Sequence, residues 1–543
     1  MRRYVSWLLF AAAVVVLLVG AAMAVLFGPD NRASTGPHPL DTAASVVVSA
    51  PEAIGVSGPT VVVTAAVPQN VPLFVGVGNA VDVASYADGV EQTRVDDVSL
   101  PWEVTTSEVT GEVGFPAPPP SLDWWLATGQ GRGEAAASVQ LPDEPASYVV
   151  AALDGRSLDG LEVSASYEVT GAFGIGLGLV GLAVGLALFG WIARQAARAG
   201  GVGRPTAGPV SKERRESPRA TSGAGRAGRV VATVALASTA GCAIPSGVAG
   251  EPSKLAASGS QATEIVERWA VRRAEALRQL DAAPLVSVEA AETLAVDRGA
   301  FQVARRLLVE GPQQIRQDLR LEAALSPRLT AYPLWFLAVV EDGERDVSKL
   351  QVHRRADAAG PWQLVAQAEV LPQTQLPELA MDETGAILPL AGDDTAGLAV
   401  SPQEVAQAYA GLLADPSTGG DEAVLVDSFV QQMRSITETQ SSIDGVRFRQ
   451  DWSARDVDWA ARTGEGGALV FATMVRTDRY QLRPGTAIDW PEGSEQEAFL
   501  SGRAYSEATL RYLHQVLLYL PPAGGGQARA VGQYGGVVSG TGV

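Results

Sequence analysis

Residues 230–247 read VVATVALASTAGCAIPSG, and the reading of this stretch decides how the rest of the 543-residue chain is divided. It holds the one cysteine of the chain, Cys242. From Val230 to Ala240 it is uncharged and mostly apolar. That run is too short to span a bilayer but suits the h-region of a signal peptide, roughly 7–15 residues. Arg226 and Arg229 supply positive charge before it, and the small residues Ser238-Thr239-Ala240-Gly241 lead to the cysteine. Two readings stand: an export signal in mid-chain, or a short third membrane span that ends in a loop.

Working outward, two longer apolar runs flank an acidic region. Residues 7–27, WLLFAAAVVVLLVGAAMAVLF, follow Arg2 and Arg3 and have the length of a transmembrane anchor with a cytoplasmic N-terminus. Ala22-Met23-Ala24 also reads as a signal-peptidase site, so the alternative is a removed signal peptide. Either way, residue 28 onward is expected outside. Residues 169–193 form a second uncharged run of spanning length. In it Gly174 and Gly178, then Gly181 and Gly185, have the small-xxx-small spacing that lets membrane helices associate, including with a second copy. Residues 194–229 carry nine Lys or Arg against two Glu and are rich in Gly, Ala, Ser and Pro. This piece is expected to be a disordered cytoplasmic linker. Residues 28–168 carry four Arg against nineteen acids, as an exported region between two spans should.

The run Ser238-Thr239-Ala240-Gly241-Cys242 resembles a bacterial lipobox, with Thr239 where Leu is usual. The resemblance implies that the Cys242 thiol is acylated and that the chain is cut just before it. The chain then reads as two envelope proteins joined end to end.

The net charge of −19 argues against a nucleic-acid partner. One cysteine excludes an internal disulfide framework, and His38, His353 and His514 are too scattered for a His-rich metal site. No metal and no cofactor are expected. The excess of Arg over Lys, with abundant Ala, Gly and Val, is the composition of a high-GC bacterial genome.

Between about 45 and 165, short runs rich in β-branched residues recur: ASVVVSA (44–50), TVVVTAAV (60–67), PLFVGVG (72–78), ASVQL (137–141), SYVVAAL (147–153) and LEVSASYEV (161–169). Gly, Pro and Asp punctuate them, which predicts an all-β sandwich-like domain. Of Trp124-Trp125, one ring is expected in the core and the other at a rim. GQGRG (129–133) lacks the spacing of a dinucleotide fingerprint. PLFVGVGNAVDVASYADGV, DWWLATGQGRGEAAASVQLP, ASYVVAALDG and the glycine-rich span resemble an uncharacterised family of small membrane proteins from high-GC Gram-positive bacteria, over about 55–193. The resemblance implies an exported β-domain held at the membrane and carries no activity.

Past the tether EPSKLAASGSQ (251–261), Ile265, Trp269, Ala276 and Leu280 share one face of a predicted helix. Strands are expected at 332–342, 349–356 and 362–371. The pattern restarts at Ser401-Pro402-Gln403-Glu404, a capping box with Pro in the first turn. A second helix over 421–437 precedes strands at 446–452, 467–482, 510–522 and 528–540. Helices first and strands second, twice, predicts two α+β units. The layout resembles tandem cone-shaped domains of the nuclear-transport-factor-two-like kind. YPLWFLAVV, GPWQLVAQA and ALVFATMVRTDRYQL resemble an uncharacterised exported, lipoprotein-like family over about 262–540.

There is no G-x-S-x-G elbow and no H-E-x-x-H. Asp451, Asp478, Tyr480 and Tyr505 are the residues an isomerase of the cone fold could use, yet nothing in their spacing demands it. His353 and His514 are expected in a surface or a hydrogen-bonded structural role. Arg447, Arg449, Arg455 and Arg462 suit either an acidic partner or a charge-guarded strand edge.

The expectation is therefore a multidomain, membrane-anchored chain with no catalytic residues. It comprises an anchor or signal (1–27), an exported β-sandwich-like domain (28–168), a transmembrane helix (169–193), a cytoplasmic linker (194–229), the signal-like segment or third span (230–247), a tether (248–261) and α+β domains at 262–398 and 399–543. The expected place is the cell membrane, with both folded portions extracytoplasmic. The expected role is binding or assembly, with another envelope protein as partner and Cys242 as lipidation site. The alternative is a small-molecule binder or enzyme that uses a cone pocket.

Overall fold

The two long apolar runs fold as α1 (Arg2–Phe27) and α3 (Ala172–Ala199). The computed structural model describes residues 2–34, 36–54, 56–58, 60–99, 103–199, 246–247, 251–307, 318–371, 374–415, 423–488, 490–500 and 506–542. They divide into two units, Met1–Ala80 with Gly89–Gly250, and Val81–Asp88 with Glu251–Val543.

In the first unit, Trp7–Phe27 and Ala172–Ile192 have mean hydropathies of 2.8 and 2.3, each long and apolar enough to cross a membrane. The helices pack antiparallel on glycine. A Cβ at Gly20 would lie 2.8 Å from the Gly176 carbonyl oxygen, and one at Gly176 would lie 2.8 Å from the Ala24 nitrogen. Gly190 meets Phe10, and at the same end the Arg194 guanidinium lies 5.8 Å from the Trp7 ring centroid. A Cβ at Gly174, Gly178, Gly181 or Gly185 would meet nothing within 4 Å. The glycines picked out by spacing thus point away from α1, and Gly176 makes the contact.

Between these helices lie two sheets. β1 (Arg32–Ser34), β2 (His38–Leu40), β5 (Thr60–Ala66), β10 (Glu134–Gln140) and β12 (Leu161–Glu168) run in the order β1-β12-β5-β10, with β2 also on β12. β3 (Val46–Ser49), β6 (Pro72–Asn79), β7 (Gln92–Ser99), β8 (Glu103–Val109), β9 (Ala127–Arg132) and β11 (Ala146–Ala152) run β8-β7-β3-β11-β6-β9. Neighbours are antiparallel except β3 and β7. β4 (Val56–Ser57) pairs with β13 (Ser246–Gly247). Alternation places Val61, Val63 and Ala65 of β5 inward, in one core with Val47, Leu73, Val75, Val77 and Val150 of the other sheet. GQGRG gains a physical reading here. A Cβ at Gly129 would lie 1.8 Å from the Ala136 carbonyl oxygen, and one at Gly131 would lie 1.9 Å from that of Glu134. β9 folds back on β10 too closely for any side chain.

In the second unit β14 (Lys254–Leu255) pairs with β16 (Arg328–Leu329), and Ser258 and Gln261 form a capping box at the start of α4 (Gly259–Gln279). After α5 (Ala291–Leu307) come β15 (Leu319–Leu325), β17 (Leu334–Asp342), β18 (Val347–Arg355) and β19 (Trp362–Val370), each antiparallel to the one before. Beyond β20 (Pro389–Leu390) the order repeats. Ser401 and Glu404 cap α6 (Pro402–Ala414), and Asp427 caps α7 (Ser428–Ser441). Then β21 (Val446–Ala454), the short β22 (Trp459–Arg462), β23 (Ala468–Leu482), β24 (Glu507–Leu520) and β25 (Arg529–Gly542) follow, with α8 (Glu495–Phe499) before β24. The last strands of the two runs, β19 and β25, pair through Glu369↔Gln533 and Val370↔Gly532. One ten-stranded sheet results, in the order β15-β17-β18-β19-β25-β24-β23-β22-β20, with β21 on β23. α4 lays Ile265 and Val266 on Leu334, Phe336, Ala338 and Val340. α6 and α7 lay Val405, Tyr409, Phe429 and Val430 on Val470, Met474, Val516 and Leu518. α5 lies so close to β25 that a Cβ at Gly299 would sit 1.8 Å from the Val537 carbonyl oxygen. The segment Val81–Asp88, which includes most of α2 (Ala80–Tyr86), completes this unit.

Candidate functional site

The second unit buries charged groups at several places, and two of them are networks with aromatic partners. The first lies among α4, α5 and β25. Helical spacing puts Trp269 and Arg273 on the inward face of α4, beside Asp297 of α5. Arg273 donates to Asp297 at 2.7 Å and lies 3.6 Å from Glu289. Trp269 Nε1 donates to Glu289 at 2.8 Å, and the Tyr534 hydroxyl donates to Asp297 at 2.5 Å. Burial, and then the neighbouring Asp297 charge, push the Glu289 carboxyl well above the ordinary range. Burial also works against the charge of Asp297, but Arg273 and the donated hydrogen bonds outweigh it and hold Asp297 low. Glu289 is thus the neutral member and Asp297 the charged one, the division two adjacent carboxyls reach around one cation.

The second place lies among α7, β21, β23 and β24. Alternation along β23 turns Arg476, Asp478 and Tyr480 to one buried face. Both Nε and Nη2 of Arg476 donate to Asp478, the former at 2.9 Å. The guanidinium lies 4.0 Å from the Tyr512 ring centroid and 6.0 Å from that of Trp452. His514 sits among Phe429, Trp452 and Tyr512, with centroid distances of 5.2, 5.3 and 6.2 Å. Burial and the Arg476 charge hold its imidazole down at about 3. In the other run of strands, His353 stacks on Phe336 at 5.1 Å and donates from Nε2 to Gln351 at 3.1 Å. Burial likewise holds it at about 3. Both imidazoles are neutral at neutral pH.

The structure brings together two of the four residues an isomerase could use. Asp478 and Tyr480 share a buried face, whereas Asp451 of β21 pairs with Arg449 on its own strand and with Arg479 of β23. Tyr505 lies outside the described residues, as does Cys242. Asp478 has both oxygens held by Arg476. Arg449 faces Asp451, Arg455 faces Glu292, and Arg462 faces Asp394 at 3.7 Å, so these arginines already have carboxylate partners. Arg447 lines an open groove of about 760 Å³ with Phe448, Gln481, Arg483, Ser506 and Glu507. Among the described residues, no group of three or more His, Cys, Asp or Glu could hold a metal ion. In the first unit, Trp124 is buried and Trp125 is half-buried, donating to the Pro119 carbonyl at 2.8 Å. The ion networks had no sequence signature: Tyr534 reaches Asp297 from 237 residues away, and Arg476 and Asp478, two apart on β23, show neither their burial nor their aromatic neighbours in the sequence.

An uncharacterised lipoprotein of Streptomyces coelicolor is 24% identical over 318 residues, which cover 57% of this chain and 93% of the relative. No solved structure matches. That relative and the two apolar helices fit association with a membrane. A family model described as a domain of unknown function, DUF8094, matches residues 254–542, more than half of the chain, and the chain belongs to that family.

Proposed function

We propose that this is a membrane-anchored protein of the cell envelope, with both folded units on the extracytoplasmic side, and that it serves binding or assembly rather than catalysis. The antiparallel pairing of α1 and α3 carries the reading. It sets Arg194 beside Trp7 at one end and leaves the chain between them at the other. Cationic ends on the cytoplasmic side are the usual arrangement. The lipoprotein relative supports Cys242 as a second, acyl anchor. A match over 57% of a 543-residue chain spans Cys242 wherever it begins. The outward glycines Gly174, Gly178, Gly181 and Gly185 suit self-association within the membrane. The repeated order of helices and then strands supports a pair of cone-like halves. The open groove beside Arg447 and Arg483 favours a second reading, a binder of small anionic molecules.

The test is direct. A C-terminally tagged chain is labelled with an alkyne fatty acid, and the membrane fraction is blotted. A labelled fragment well below the 56.4 kDa of the whole chain, absent from Cys242→Ala, is expected. A full-length, unlabelled band overturns the acyl anchor.

A further inference from the structure

The second unit is built from two stretches of chain that lie on opposite sides of Cys242, Val81–Asp88 and Glu251–Val543. The shorter stretch is buried in it. Val81 is 3% exposed and belongs to the apolar cluster of Ala256, Ala257, Leu334, Phe336 and Trp362. Asp82 is fully buried. One of its oxygens lies 2.5 Å from Lys254 Nζ, and the other accepts from the Tyr332 hydroxyl at 2.7 Å. The Ser85 hydroxyl accepts from the Ala358 amide at 3.1 Å. A buried carboxylate needs partners, and these come from residues 251–543.

We infer that Val81–Asp88 is an integral piece of the DUF8094 unit, and that a cut before Cys242 leaves this unit as a two-chain assembly held without a covalent bond. The occupant of the surface formed by Lys254, Tyr332, Phe336 and Trp362 is thus a segment of this same chain. Its apolar Val81 and anionic Asp82 match that surface in shape and charge. The consequence of a cut rests on the lipoprotein reading; the docking of the segment does not.

The experiment is independent of the cell's own processing. A specific protease site is placed within residues 205–225 of the full-length Cys242→Ala chain, which carries an N-terminal tag. Detergent-solubilised protein is cut, and the C-terminal fragment recovered on the tag is measured. The C-terminal fragment should be retained through washes at high salt. Asp82→Asn should lower its recovery by at least about tenfold, since it leaves the half-buried Lys254 without its counter-charge. Adding Lys254→Met to Asp82→Asn removes that charge and should restore recovery, which a misfolded variant would not do. Asp88→Asn, at an exposed position, should match the parent. Release of the C-terminal fragment from the parent chain, or equal retention in Asp82→Asn, overturns the inference. Absence of fatty-acid labelling at Cys242 would overturn the lipoprotein reading alone.

Discussion

His353 is a neutral imidazole closed off from water, and that fixes how it responds to acid. Its folded value of about 3 lies below the ordinary histidine value, so the unfolded chain takes up the proton first. Its contribution to stability is full above the ordinary histidine range and is lost as pH falls through it toward 3. Between about pH 6.5 and 5 the loss is about 2 kcal/mol. His514 acts in the same sense. Urea titration followed by tryptophan fluorescence should show a midpoint that falls from neutral pH to about pH 5, and a smaller fall for His353→Gln. An identical fall in the variant would show that the acid response comes from elsewhere. Glu289, whose carboxyl is held high, works the other way and costs stability as pH rises. None of this was legible from the residues. A histidine in a strand shows neither its depth nor its neighbours, and Gln351, Phe336 and Arg476 come into play only after folding. Asp451 and Asp478 illustrate the same limit, being similar in sequence and opposite in exposure.

Among the elements, the two long apolar helices were the most legible, since hydropathy over about twenty residues is a local property. Their contact was not. A spacing rule selects residues four apart on one helix, but the partner helix decides which face is used, and α1 selected Gly176. Gly176→Leu should therefore loosen the pair, at a cost of about 1–3 kcal/mol, while Gly178→Leu should leave it intact. Cysteines introduced at positions 10 and 190 in a Cys242→Ala chain report the pairing by their cross-linking. The yield should drop in Gly176→Leu only. An equal drop in both would mean that the open face also serves the intramolecular contact. The α6 start was legible for a local reason as well. Ser401 and Glu404 are three apart, and the capping box closes within one turn. The α4 box uses Ser258 and Gln261, inside a stretch that composition alone assigns to a tether.

At the scale of the molecule, local pattern gave β17, β18, β19, β21, β23, β24 and β25 but not their order. It missed β16, β20 and β22, and also β15, whose residues read as a continuation of helix to about Ala324. Nothing in WQLVAQAEV or GGVVSG says that the final strands of the two runs will meet, because that pairing joins residues more than a hundred and fifty apart. The consequence is that β25, Arg529–Gly542, occupies the middle of the sheet, bonded to β24 on one side and β19 on the other. Terminal segments are usually the most expendable. Here a chain stopped after Gln527 should lose protease resistance across residues 251–527 and fall in steady-state level, whereas removal of 541–543 should change little. Limited proteolysis of membranes carrying each version decides it. A truncated unit as resistant as the parent would place the stabilising contacts elsewhere. The same position of β25 sets a clock on biogenesis. Of the ten strands it leaves the ribosome last, and its slot lies between strands made before it. Until it arrives, β19 and β24 each hold out an open edge, the surface on which a neighbouring nascent chain can template itself. The interval between synthesis of β24 and synthesis of β25 is therefore the window in which this protein is most exposed to aggregation.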